Sequence, residues 1–320
     1  KEMAGECLES QVELLKRFAA IDCESKNEDG NRKVVDIAKE VLSSIDGIEI
    51  KEVYFEGTGS HIVARIVPEN PEGKIVINCH MDTVFPAGFA EKNPPYIDDE
   101  NWLHGLGVGD CKGGFVVSAY AVKTASKLGL LPNKEIVMIY SCDEEIGSVT
   151  SSVVFEQEAM GAECAFVFEG AVKRGDGYGI VTERRGVILG ALDIKGVEAH
   201  AGGAYLDGHS AVKILKYYDF NDYDREIYYN VAPISGGRPN GVVAGDAHME
   251  FCVAGLPTNE SFAEAEANIR SLAESNEDPE CKTTVDYRTL FPALERTKKG
   301  SEMCAIAEKA AELLGMHIEE

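Results

Sequence analysis

No run in this 320-residue sequence approaches the ~18–20 consecutive apolar residues of a membrane-spanning helix. The opening residues, Lys1-Glu2-Met3-Ala4-Gly5, lack the apolar core of a signal peptide. Basic residues are scarce. There are 31 against 55 acidic ones, and the formal net charge of −24 argues against nucleic acid and anionic membranes as partners. The nine cysteines are odd in number and contain no Cys-x-x-Cys pair, so they do not read as a disulfide framework. A reducing cytoplasm is the expected setting. Internal repeats, low-complexity segments and long linkers are also missing.

What is present is ordinary for a globular protein: 44% hydrophobic and 27% charged residues. The length suggests about two domains, each with a sizeable core. Helical spacing of apolar residues marks 9–20 and 32–44. Strands are expected at 48–54, 61–67 and 74–78, then a helix over 113–128 ended by Gly129, and strands at 135–141 and 165–168. Strands interleaved with helices predict a layered α/β domain. From about Thr182 the order changes to β, α, β, β, α, β, with segments at 186–195, 210–218, 227–233, 248–253, 260–273 and 283–287. That is the split βαβ pattern of a small antiparallel-sheet domain. It is placed at 183–290, inserted into a first domain made of 1–182 and 291–320. A last helix is expected over 297–314, with Gly315 at its C-terminal end.

The chemistry centres on Val76-Ile77-Asn78-Cys79-His80-Met81-Asp82-Thr83-Val84. A β run delivers a His and an Asp two residues apart, on one side of the strand. The carboxylate can then accept the second ring N–H of His80 and fix its tautomer for metal binding. Alone, the pair reads equally as an incidental strand end, but acidic clusters follow. Asp110 sits in Gly105-Leu106-Gly107-Val108-Gly109-Asp110-Cys111-Lys112-Gly113-Gly114, where glycines permit a sharp loop before a helix. A phosphate-cradling loop is the competing reading, yet no Gly-Lys-Ser/Thr follows and an Asp would repel phosphate. Asp143-Glu144-Glu145 follows the strand at 135–141, and Glu169 follows the run Ala165-Phe166-Val167-Phe168. One glutamate of the pair can ligate a metal while the other moves a proton. One His and three carboxylates, each after a separate β run, point to the carboxyl edge of an α/β sheet. The donor set suits zinc, with manganese or cobalt as substitutes. Four ligands around one ion, or a bridging Asp between two ions ~3.5 Å apart, both satisfy it. Cys79, Cys111 and Cys142 beside these residues are expected as small core residues.

His80-Met81-Asp82, Asp110-Cys111-Lys112-Gly113-Gly114 and Asp143-Glu144-Glu145-Ile146-Gly147 resemble, in order and spacing, the three signature blocks of the M20 metallopeptidases. That family includes glutamate carboxypeptidase, acetylornithine deacetylase, succinyl-diaminopimelate desuccinylase and aminoacylase relatives. The resemblance covers essentially the whole chain. It implies a zinc-peptidase catalytic domain with an inserted ferredoxin-like α+β dimerisation (lid) domain. It implies two zinc ions: His80 and Glu169 on one, Glu145 on the other, and Asp110 between them, with a cis peptide after Asp110. Asp82 would orient His80, and Glu144 would be the general base and acid acting on a metal-bridging water. Gly196-Val197-Glu198-Ala199-His200-Ala201-Gly202 resembles the lid block whose His reaches a partner subunit's site and holds the oxyanion, implying a homodimer. Asn240 aligns with a substrate-contacting lid asparagine.

Two departures accompany the resemblance. The family's last ligand, a His well beyond a Gly-Gly-x-x-Asp-Ala block, would fall after Glu320, so the chain is expected to be a piece of a longer one. The lid-strand Arg that binds a substrate carboxylate is replaced by Ala254, with Arg238 as the candidate substitute. The expected activity is that of a zinc-dependent carboxypeptidase or dipeptidase acting on small peptides. An N-acyl amino acid deacylase is the alternative enzyme, and an inactive homologue serving as a binding module is the alternative class.

Overall fold

The computed structural model describes residues 5–215, 220–239, 241–274 and 277–320. The chain divides into two compact units, Lys1–Gly170 and Ala171–Glu320. Among the described residues no helix is long and apolar enough to cross a membrane.

The first unit opens with helices α1 (Leu8–Ala19) and α2 (Glu28–Leu42). α2 starts four residues before the expected Arg32, because the Asn27 side chain accepts the Gly30 N–H at 3.0 Å and caps the first turn. Next come β1 (Ile48–Phe55), β2 (Gly59–Ile66), β3 (Lys74–His80), the single turn α3 (Phe89–Lys92), β4 (Tyr96–Ile97) and β5 (Leu103–His104). They are followed by α4 (Gly113–Lys127), β6 (Glu135–Ser141), α5 (Ser151–Ala159) and β7 (Cys164–Val167). The main sheet runs β1-β2-β6-β3-β7, and its last three strands are parallel.

β6 explains the layering. Ile136, Met138 and Tyr140 pack with Phe18, Val35, Leu42 and Phe115 on one face, while Val137 and Ile139 pack with Val63, Val76 and Val154 on the other. Helices cover both faces, so an uninterrupted apolar strand is what the position demands. Parity sends Cys79 into the first core, away from His80.

The second unit holds β8 (Val172–Arg174), β9 (Gly177–Gly179), β10 (Gly186–Lys195), α6 (Ala211–Ile214), β11 (Tyr228–Gly236), β12 (Asp246–Leu256), α7 (Asn259–Glu274), β13 (Lys282–Phe291), α8 (Lys298–Leu314) and β14 (Ile318–Glu319). The segment after 291 lies in this unit, where β14 joins the three-stranded sheet β14-β9-β8. The larger sheet is fully antiparallel in the order β11-β12-β10-β13, the arrangement of a split βαβ unit. Ile188, Leu192, Ile194, Met249 and Val253 from its strands share a core with Ala211, Phe262, Ala265 and Ile269 from its helices. The helix expected over 210–218 is described as α6 alone, and 216–219 lie outside the described residues. Gly315 ends α8 in the left-handed region, as its sequence position anticipates.

Candidate metal centre

Parallel pairing of β6, β3 and β7 aligns their carboxyl ends. His80 lies opposite Ser141 and Asn78 opposite Val167, so the residues that follow β6 and β7 emerge beside His80. Glu144 and Glu145 lie on the short turn after β6, and Glu169 is the second residue after β7. Asp110 arrives differently from the expected strand end. It sits in the irregular segment Val108–Lys112, between the two-residue strand β5 and α4, outside the main sheet. The Asp110–Cys111 peptide is cis. Glycine lets this loop approach: a Cβ at Gly114 would lie 2.0 Å from the Phe168 carbonyl oxygen, so only hydrogen fits where α4 meets the segment bearing Glu169.

His80 is 1% exposed and both ring nitrogens are engaged. Nδ1 is 3.1 Å from the Asp82 carbonyl oxygen and 3.3 Å from Asp82 Oδ1. Nε2 is 2.9 Å from Asp110 Oδ1, 3.7 Å from Glu169 Oε1 and 3.9 Å from Glu144 Oε2. Ligand atoms of His80, Asp110, Cys111 and Glu169 all lie within 4.8 Å of one another. Glu145 stands outside that group. Asp82 is fully buried and accepts from Ser25 Oγ at 2.7 Å and from the backbone N–H groups of Glu144 and Glu145 at 3.3 and 3.2 Å. One carboxylate therefore orients the histidine and also secures the turn carrying both glutamates.

The electrostatics call for a cation. Burial alone disfavours a charged His80, yet hydrogen bonds to Asp82 and the Cys111 thiol outweigh it and push the pKa up to about 12. Burial raises Glu144, as do the charges of Glu169, Asp82 and Asp110, with His80 opposing. Burial and Asp110 likewise raise Glu145. A proton on His80 stands here where a metal ion would relieve the same crowding. An imidazole with carboxylates around it fits a divalent cation, zinc before calcium or magnesium.

Cys79 and Cys142 are buried core residues, as expected. Cys111 is a buried core residue too, and its sulfur also belongs to the ligand-distance group and contacts the His80 backbone N and O atoms at 3.3 Å each. Sequence reasoning missed Ser25, for which no local pattern exists. It also missed a role for Lys112, whose buried Nζ donates to the carbonyls of Phe18 and Ile21 at 2.9 and 3.1 Å and anchors the end of α1 beside the Asp110 loop. A lone cation in a glycine block was its signal.

In the second unit, His200 is exposed, and its Nδ1 accepts the Gly202 and Gly203 N–H groups at 3.1 and 3.0 Å. Its proton is thereby placed on Nε2. Arg238 is exposed and paired to Glu198 at 2.9 Å. Ala254 lies in β12 opposite Val187 and Tyr228. Asn240 lies outside the described residues.

Residues 76–320 match the model of peptidase family M20/M25/M40, beginning within the strand that delivers His80. The chain belongs to that family. Carboxypeptidase G2 from Pseudomonas sp. (strain RS-16) is 25% identical over 268 residues, covering 80% of this chain and 64% of that protein. A succinyl-diaminopimelate desuccinylase from Hydrogenovibrio crunogenus is 28% identical over 253 residues, covering 72% and 65%. This M20 chain thus spans just under two thirds of the length of those relatives. Its fold resembles that of aminopeptidase PepT from Bacillus cereus ATCC 10987, with a TM-score of 0.74 at 20% identity over 98% of this chain and 84% of the other.

Proposed function

We propose that this M20 chain is part of a zinc-dependent amide hydrolase, a carboxypeptidase or dipeptidase acting on small peptides. The observation that carries the reading is the convergence of His80, Asp110 and Glu169 within ligand distance, with the Glu144 carboxylate 3.9 Å from the same imidazole nitrogen. In this reading His80 and Glu169 would hold one cation and Glu145 a second, with Asp110 available to both. When bound, such ions supply Lewis acidity toward the scissile carbonyl and lower the pKa of water. Asp82 holds the His80 tautomer through Nδ1. Glu144, left without a ligand role, takes the proton of the attacking water on its carboxylate and delivers it to the departing amine nitrogen.

Residues 183–290 serve as the inserted dimerisation domain. His200 of a second copy donates its Nε2–H to the developing oxyanion, a role supported by the tautomer that Gly202 and Gly203 impose. Arg238 and Asn240 take the substrate's polar end. Deacylation of an N-acyl amino acid is the second reading, favoured by Ala254 at the carboxylate-binding position and by the desuccinylase relative.

The test is a panel of dipeptides and N-acyl amino acids with added zinc, run on the parental protein and on Glu144→Ala. Hydrolysis by the parent that disappears in the variant, with zinc affinity retained, supports the assignment. Unchanged hydrolysis in the variant sinks it.

A further inference from the structure

His61 is fully buried on β2 and has no place in the chemistry above. Its hydrogen bonds leave one protonation pattern. The Cys142 backbone N–H donates to Nδ1 at 3.1 Å, so the ring proton resides on Nε2. Nε2–H then donates to Thr150 Oγ1 at 2.8 Å. The Thr150 hydroxyl donates in turn to Asp143 Oδ2 at 2.8 Å, and Thr58 Oγ1, 3.0 Å away, fills its remaining acceptor position. Asp143 Oδ2 also accepts the backbone N–H groups of Thr150 at 2.7 Å and Ser151 at 3.0 Å, and the Asp143 carbonyl accepts the Ser148 N–H at 2.8 Å.

These bonds join the two ends of one loop, Asp143 to Thr150. Between those ends stand Glu144 and Glu145. Asp82 grips the same loop from the metal side, so the pair is held from two directions. The Thr150 hydroxyl is half-buried and uses every hydrogen-bonding position, so another arrangement would cost the buried His61 or Asp143 Oδ2 a partner, which makes the knot stiff.

We propose that His61 is a positioning residue, which through Thr150 and Asp143 fixes the loop that presents Glu144 and Glu145. The consequence for metal rests on the function proposed above; the geometry does not. His61→Ala, Thr150→Val and Thr150→Ser separate the possibilities, using backbone amide exchange of Ser148, Thr150 and Ser151 in the metal-free protein and zinc affinity by calorimetry. His61→Ala and Thr150→Val are expected to speed exchange roughly 2–10-fold, the loss of one hydrogen bond. Zinc affinity is expected to fall about 10–100-fold, as for lost partners of metal ligands. Thr150→Ser keeps the hydroxyl and restores both. Should His61→Ala not fold, Thr150→Val carries the test alone. A lowered melting temperature with loop exchange and zinc affinity at parental values overturns the inference, as does a Thr150→Ser variant that behaves like Thr150→Val. If the parent binds zinc no better than His80→Ala, the metal reading fails, and the exchange measurement still decides the positioning role.

Discussion

The two units treat buried polarity in opposite ways. Among the described residues, the first unit buries Asn31, His61, His80, Asp82, Lys112 and Asp143 along with several hydroxyls, whereas Ser261 is the only buried polar side chain in the second. Burying such groups costs free energy unless each finds partners, so a dense set marks a place where structure has been arranged for something beyond stability. The same contrast separates the two candidate histidines. His80 is buried with both nitrogens engaged, whereas His200 is exposed and only its Nδ1 is held, by the Gly202 and Gly203 N–H groups, which leaves Nε2 for the donor role proposed above.

The sharpest way to break this contrast is to remove a group that acts without ligating. Glu144→Ala is expected to cut hydrolysis by about 10²–10⁴-fold, the range for general acid–base groups, while zinc calorimetry stays near the parental value. His200→Ala is expected to lower kcat by about 10²–10³-fold, as for a lost oxyanion donor, again without altering zinc binding. A loss of zinc affinity in the His200 variant would erase the distinction between the two histidines.

Asp82 tests the opposite side. Asp82→Ala leaves the backbone carbonyl 3.1 Å from His80 Nδ1 but removes the carboxylate 3.3 Å from it and the acceptor for the Glu144 and Glu145 N–H groups, so zinc affinity should fall about 10–100-fold in calorimetry. Ser25→Ala, which removes one donor to the same carboxylate, should follow in the same direction with a smaller change.

What the sequence revealed follows from where its constraints are local. The apolar run ending in His80, the acidic triplet after β6 and the glycine block around Asp110 are short patterns, and each lies where its pattern implied. Ser25 and His61 are illegible because their partners are 57 and 81 residues away, and no period or cap encodes such contacts; Lys112 stands out as a lone cation in a glycine block, but its acceptor 94 residues away does not. α2 began early because a single Asn27 cap outweighed the helix-averse Gly30. Asp110 resembled a strand-end residue only because Leu103–His104 is a two-residue strand paired with β4, which sequence alone cannot distinguish from a member of the main sheet.

Carboxyl crowding gives a pH test. In the folded, metal-free protein Glu144 and Glu145 titrate above their ordinary range, so the native state binds more protons than the unfolded chain between the ordinary and raised values. Stability therefore falls as pH rises through that window, and the loss is complete above it. Glu144→Gln/Glu145→Gln should raise the melting temperature of chelated protein at neutral pH, lose that advantage in acid, and show none when zinc is saturating. A double variant stabilised equally at all pH values would assign the gain to something other than charge.

The smallest effect belongs to the second unit. Thr258 and Ser261 cap α7 reciprocally: Thr258 Oγ1 accepts the Ser261 N–H at 3.2 Å, and Ser261 Oγ accepts the Thr258 N–H at 3.0 Å. That is a capping box with serine at the third helical position, so the one polar side chain buried among the described residues of this unit is explained by capping of the helix N-terminus. Ser261→Ala should cost about 1 kcal/mol of stability by chemical denaturation. Zinc affinity and hydrolysis should be untouched, because nothing in the cap reaches beyond its own helix. A change in zinc binding would mean that the second unit also carries polar groups arranged for function, and the contrast between the units would no longer hold.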